Sequence, residues 1–144
     1  MHIRRFHEKD FATYKSWFAD PELSANLGPL DQEWLEYVLN DVTGDQFVAF
    51  EKGEMVAVCG VIYPSSSAPH FFIADVSVYP PAKRFGVATR LLNELQTRLD
   101  SEKTYSWKAS IDRNNLPAIR LVERLGWHRD PEKDTDDMIG WSTA

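Results

Sequence analysis

The sequence predicts an α/β domain of the α+β kind: a mixed, mostly antiparallel central sheet of six to seven strands with about four helices on its two faces. Three observations carry this expectation. Three strand-like runs follow one another through short polar turns between Phe47 and Tyr79, the pattern of an antiparallel meander. A helical repeat from Val87 to Leu99 then leads to a strand of strict period two between Thr104 and Ile111. The chain has 144 residues, the length of one domain, 1–144, and a domain of that size buries about 68–70% of the surface its unfolded chain exposes.

Ile3, Arg5 and Phe6 suggest a short first strand, and Phe11, Tyr14, Trp17 and Phe18 form the aromatic face of a helix that Asp20 and Pro21 close. The segment LSANLGPLD reads as a connector. Asp31 then caps a helix whose Trp34, Leu35, Val38 and Leu39 make contacts one turn apart. Phe47 to Phe50 and Met55 to Tyr63 are strands joined at Lys52 and Gly53, and PSSSAP leads into the strand His70 to Tyr79. In the later strand Tyr105, Trp107, Ala109 and Ile111 alternate with polar residues, so one face is buried. Asn115 caps a last helix carrying Ala118, Leu121, Val122 and Leu125, which Gly126 ends. Trp127 and Met138 to Trp141 close the sheet, with the acidic loop DPEKDTDD between them.

Chemistry concentrates at the stretch Val76 to Asp100. Val76 and Val78 alternate with Ser77 and Tyr79, and Pro80 with Pro81 then ends the ladder by removing two backbone donors. The turn Lys83, Arg84, Phe85, Gly86, Val87, Ala88, Thr89 places unpaired amide groups at the positive end of a helix, beside two cations. Such a turn suits a phosphate, because Gly86 leaves the backbone uncovered and Ala88 and Thr89 are small. It is equally a strand-to-helix connection with a solvated basic rim. Spacing rules out Gly-x-x-x-x-Gly-Lys-Ser/Thr and Gly-x-Gly-x-x-Gly, so neither a nucleotide P-loop nor a dinucleotide fingerprint is present.

Lys83, Gly86 and Ala88 occupy the three positions of an Arg/Gln-x-x-Gly-x-Gly/Ala turn, with Lys in the place of Arg or Gln. Asn115, Ala118, Leu121, Gly126 and Trp127 follow at the distance of Asn-x-x-Ala-x-x-Leu-Tyr-x-x-x-Gly-Phe. In these two ordered motifs the chain resembles the GNAT superfamily of N-acetyltransferases, most closely across Val76 to Trp127. The resemblance implies a GNAT-like sheet splayed between its fourth and fifth strands, and acetyl-CoA as co-substrate without a metal. It further implies that amides from Arg84 to Thr89 cradle the pyrophosphate, with Lys83 and Arg84 adding charge. Main-chain groups of Val76, Ser77 and Val78 would pair with the pantetheine arm, and Asn115 would reach that arm, cap its helix, or do both. The first two helices would wall the acceptor side, where Tyr14, Trp17, Trp34 or Tyr37 could border a pocket and the acidic loop could attract an amine, though aromatic stripes are commonly core and acidic runs commonly solvated tips.

The implied reaction is direct attack of an amine of a small molecule, amino acid or peptide on the thioester, through a tetrahedral intermediate, with loss of the CoA thiolate. The amine must be deprotonated and the oxyanion stabilised, the latter by a strand N–H such as that of Val78. The sequence departs from the family where an acid and a base are often found: position 122 is Val, not Tyr, and position 110 is Ser, not Glu. Asp75 is the one candidate base, and a structural hydrogen bond is its other reading. The same departures leave open a noncatalytic acyl-CoA sensor or a protein-interaction domain.

Composition narrows the remainder. Hydrophobic residues at 43% with charged residues at 26% describe an ordinary globular chain, and a net charge of −6 argues against nucleic acid as the partner of Lys83 and Arg84. A lone Cys59 forms no internal disulfide, the longest apolar run falls far short of the roughly 20 residues of a membrane span, and MHIRRFHEKD is no signal peptide. The expectation is a cytoplasmic monomer or homodimer without membrane contact. The four His and single Cys are scattered without metal-ligand spacing.

Overall fold

The computed structural model describes all residues from Met1 to Ala144. Seven strands form one sheet: β1 (His2–Arg5), β2 (Gly44–Glu51), β3 (Glu54–Ile62), β4 (His70–Val78), β5 (Ser106–Asp112), β6 (His128–Arg129) and β7 (Met138–Ser142), in the order β1-β2-β3-β4-β5-β7-β6. Every neighbouring pair is antiparallel except β4 and β5, which are parallel and joined by a crossing helix. The helices are α1 (Phe11–Ser16), α2 (Pro21–Leu27), α3 (Gln32–Asn40), α4 (Val87–Leu99) and α5 (Leu116–Arg124).

Helices on the two faces make two cores. On one face α4 lays Val87, Leu91, Leu92 and Leu95 against Ala57, Cys59, Ile73 and Trp107, and α5 adds Leu121 and Val122. On the other, Tyr14, Trp17, Leu23 and Leu35 pack onto Val48 and Val58. Full burial of a Leu-sized side chain stabilises by about 1.5–3 kcal/mol, so the α4 leucines pin that helix, and with it the loop before it, to the sheet. Inside the second core the Tyr14 hydroxyl and Ser77 Oγ lie 2.6 Å apart and satisfy one another. Burial pushes the Tyr14 phenol well above its ordinary range, so it stays neutral.

The connector expected from Leu23 to Asp31 holds most of a helix, α2. Asp20 and Pro21 do end α1 and its 3-10 extension, and the same two residues begin the next helix: Asp20 is its N-cap, accepting from Leu23 N at 3.2 Å, and Pro21 stands in its first turn. Gly28, at φ 65°, stops it one turn before Asp31 caps α3 through Trp34 N at 3.0 Å. The structure therefore has five helices where about four were expected.

Candidate functional site

β4 and β5 pair only over their first halves, His70 to Ile73 against Ser106 to Ala109. Beyond Ile73 the register of β4 on β3 shifts at Ala74, a bulge that bends β4 away from β5. β4 still pairs with β3 through Val78. Tyr79 N donates to Val56 O at 2.9 Å, toward β3. Because main-chain groups point to alternate edges along a strand, those of Val76 and Val78 point the other way, into the gap left by β5. Ser77 does not serve the gap in that way: its N–H and C=O share the β3-facing edge with Tyr79, and its side chain is turned into the second core, leaving the residue 1% exposed.

At the head of the gap the loop after β4 runs into α4. Arg84 and Gly86 adopt the left-handed region, at φ 71° and 74°, so the peptide planes of the turn are rotated outward. None of the six consecutive amides from Arg84 to Thr89 donates to an acceptor in the protein, and α4 has no side-chain cap. Arg90 holds the loop in place: Nη1 donates to Phe85 O at 2.7 Å, while Nε and Nη2 form a two-point pair with Glu51 at 3.1 and 2.7 Å. The result is a row of amides free of protein acceptors at the positive end of a thirteen-residue helix, an arrangement that suits an anion.

A cleft of about 620 Å³ extends from this row. Every residue proposed to bind a cofactor lines it except Phe85, which stands 72% exposed at the loop's outer edge. Asn115 caps α5 by accepting from Ala118 N at 3.3 Å, and its amide NH2 donates to no protein acceptor. The cap and the reach into the cleft therefore use different atoms of one side chain. Lys83 is committed to the protein: Nζ pairs with Asp20 Oδ2 at 3.1 Å and Glu22 Oε2 at 3.2 Å, tying the loop to the start of α2 and holding the Asp20 carboxyl below its usual range. The second wall is α2, through Leu23, Asn26 and Leu27; Tyr14 and Trp17 are core residues at 2% and 3% exposure, and none of Tyr14, Trp17, Trp34 and Tyr37 lines this cleft.

Two arginines of the cleft escaped sequence reasoning, Arg120 and Arg124 on α5, besides Leu23, Asn26 and Leu27 in the segment read as a connector. The arginines' signal was the spacing of four on the side of the helix next to Asn115, which passes for an ordinary solvated face.

Asp75 lies outside this cleft, on the α1–α3 side of β4, where Oδ1 accepts from Gln46 Nε2 at 2.8 Å. Gly60 sits opposite it in the ladder, and a Cβ there would lie 2.6 Å from Asp75 Oδ2, so the glycine makes room for the carboxylate. Burial pushes the Asp75 carboxyl up to about 6, against the opposing pull of Gln46 and the Gly60 amide. It is thus a structurally bonded group whose affinity for a proton is also suited to a base near neutral pH. Val122 is 3% exposed within the core, and Ser110 lies on β5 past the end of its pairing with β4.

The model of the acetyltransferase (GNAT) family matches residues 6–127. The spore coat polysaccharide biosynthesis protein SpsD of Bacillus subtilis is 28% identical over 120 residues, which are 83% of this chain and 40% of that protein. This chain thus spans less than half the length of that relative. Among solved structures, aminoglycoside acetyltransferase AAC(6')-Ib in complex with coenzyme A and kanamycin superposes with TM-score 0.81 at 17% identity, covering 99% of this chain and 93% of that one. Ribosomal-protein-alanine N-acetyltransferase from Brucella melitensis does so with TM-score 0.70 at 20% identity, covering 99% of each. At these identities the likeness is one of fold.

Proposed function

We propose that this chain, which belongs to the GNAT family of acetyltransferases, moves an acetyl group from acetyl-CoA to an amine of a small molecule, amino acid or peptide. The observation that carries the reading is the row of six protein-free amides at the head of a cleft that continues into the β4–β5 gap. The residues fit the coenzyme along its length. The amides of Arg84 to Thr89 would take the diphosphate, the outward main chain of Val76 and Val78 would pair with the amides of the pantetheine arm as an added strand does, and the Asn115 NH2 would steady that arm.

Acetyl-CoA supplies a thioester already activated for attack by an amine. The chain's own residues then have two tasks. The Val78 N–H, aimed into the gap, would receive negative charge developing on the carbonyl oxygen. Asp75 would accept the amine proton, directly or through water, with Gln46 holding its carboxylate in place. An α-amine, with an ordinary pKa of about 7.7–8.0, asks less of that base than a lysine side chain near 10.4. The names of the structural relatives, acting on aminoglycosides or a ribosomal protein's alanine, are consistent with an amine acceptor without choosing one.

Thermal unfolding with saturating acetyl-CoA, and with desulfo-CoA as an inert control, tests binding. A ligand at 100 times its Kd stabilises by about 2.7 kcal/mol, so the midpoint rises with both; no rise with either overturns the reading. Release of CoA thiol across a panel of amines then tests turnover. Core burial of Val122, in the place of the family's Tyr, favours a second reading, a noncatalytic acyl-CoA sensor. Binding without thiol release from any amine would select it.

A further inference from the structure

The two walls of the cleft belong to opposite faces of the sheet. α5 packs through Leu121 and Val122 into the core it shares with α4, whereas α2 packs through Leu23 into the core of Tyr14 and Trp17. Asp75 lies on the α2 side, so an amine that gives its proton to Asp75 approaches the β4–β5 gap along α2. The place of this helix is therefore part of the acceptor's path. Its own anchors are few: at seven residues it is too short to hold without tertiary support, and Leu23 is its one buried side chain.

What ties the start of α2 to the coenzyme loop is Lys83. Nζ lies 3.1 Å from Asp20 Oδ2 and 3.2 Å from Glu22 Oε2, and Asp20 Oδ2 also accepts from Leu23 N at 3.2 Å, so the ammonium, the helix cap and the first turn form one unit. The three side chains together carry one net negative charge. Turned toward a diphosphate, Lys83 would leave both carboxylates unscreened beside an anionic ligand; where it stands, it cancels one of them. The diphosphate does not need it, since the six free amides and the α4 dipole already answer that group. We propose that Lys83, although it occupies the place of a phosphate-binding cation, is a positioning residue that fixes α2 against the loop and so sets the affinity for the acceptor amine and not for the coenzyme. The assignment rests on the coenzyme reading above, with Asp75 as the proton acceptor.

Two variants keep the net charge of the group while changing its contacts: K83M/E22Q removes the strap, and K83E/E22K rebuilds it with the charges exchanged. Titration calorimetry of the full chain with CoA should give both an affinity within about twofold of the parent's. With the amine of the panel that releases thiol fastest, K83M/E22Q should raise KM about fivefold or more at nearly unchanged kcat, the mark of lost ground-state binding, and K83E/E22K should recover most of that loss. Hydrogen exchange should quicken at the α2 amides of Ser24 to Leu27 in K83M/E22Q and slow again in K83E/E22K. A larger loss of CoA affinity in either variant makes Lys83 a coenzyme ligand and overturns the assignment. So does a KM or an α2 exchange rate that K83M/E22Q leaves at the parent's value, or an exchanged pair that behaves like the broken one. A parent that binds no CoA, or releases no thiol with any amine, refutes the reading on which the assignment rests, and the assignment with it; a parent that does both leaves the variants to decide.

Discussion

Asp75 offers a prediction in which stability and activity should move in opposite directions. Its carboxyl is raised from an ordinary 3.8 to about 6, with burial the largest cause. A folded-state pKa above the unfolded one means that the native protein holds this proton more tightly than the unfolded chain between about pH 4 and 6. The contribution to stability is fully present below 3.8 and is lost as the pH rises through 6. At about 1.4 kcal/mol per pH unit, ionised Asp75 costs the folded state at most about 3 kcal/mol at pH 8, less to the extent that water reaches the residue. Asp75→Asn removes that charge while its Oδ1 can still accept from Gln46. The variant should therefore be more stable than the parent at pH 8 by about 1–3 kcal/mol, and the gain should fade toward pH 5. Urea unfolding of both proteins at matched pH from 5 to 8 measures this, and the comparison cancels the opposing acids Asp10, Asp20, Glu51 and Asp130, whose pKa values are lowered. With an amine acceptor in hand, D75N should slow turnover by about 10²- to 10⁴-fold, the usual contribution of a positioned base. A variant less stable than the parent at pH 8, or a difference that does not change with pH, would refute the linkage argument.

Two further outcomes probe the frame around the cleft. Tyr14→Phe strands the 1%-exposed Ser77 hydroxyl without a partner and should cost about 1–3 kcal/mol in chemical unfolding, whereas adding Ser77→Ala should restore part of that loss rather than deepen it. Arg90→Ala removes a half-exposed ion pair worth at most about 1 kcal/mol to stability. By releasing Phe85 O and the loop it should nevertheless weaken coenzyme binding about tenfold in titration calorimetry, and unchanged affinity would exclude Arg90 as the loop's support.

The sheet was readable because β5 keeps a strict period of two, β3 is one continuous apolar run, and the boundaries carry residues suited to them: Gly53 at φ 79° between β2 and β3, and Asp31 and Asn115 as caps. The α4 boundary followed from the Pro pair and Gly86. What escaped sequence reasoning depends on context beyond local pattern. Asp20-Pro21 serves as the end of one helix and the start of the next, and a stop signal and a start signal look alike when the intervening loop has almost no length. The position of Lys83 indicated charge for a phosphate, but two carboxylates more than sixty residues earlier claim it, a contact that no spacing rule announces. Arg120 and Arg124 look like any exposed helix face until α5 is seen to form a wall of the cleft. The bulge at Ala74 that opens β4 from β5 shows only as a change of phase, since the core-facing positions pass from Phe71 and Ile73 to Val76 and Val78, a step of three that an alternation counted from Val76 passes over.

The central claim is that main-chain donors from Arg84 to Thr89 seat the coenzyme's diphosphate and that the arm runs from there along Val76 and Val78. Amide ¹H–¹⁵N correlation spectra recorded while CoA is added test this most directly. The account predicts that the largest shifts fall on those six amides and on Val76 and Val78, with small changes across β1 and β2. Saturable binding that leaves the Arg84–Thr89 amides unmoved, or no binding at all, would contradict it.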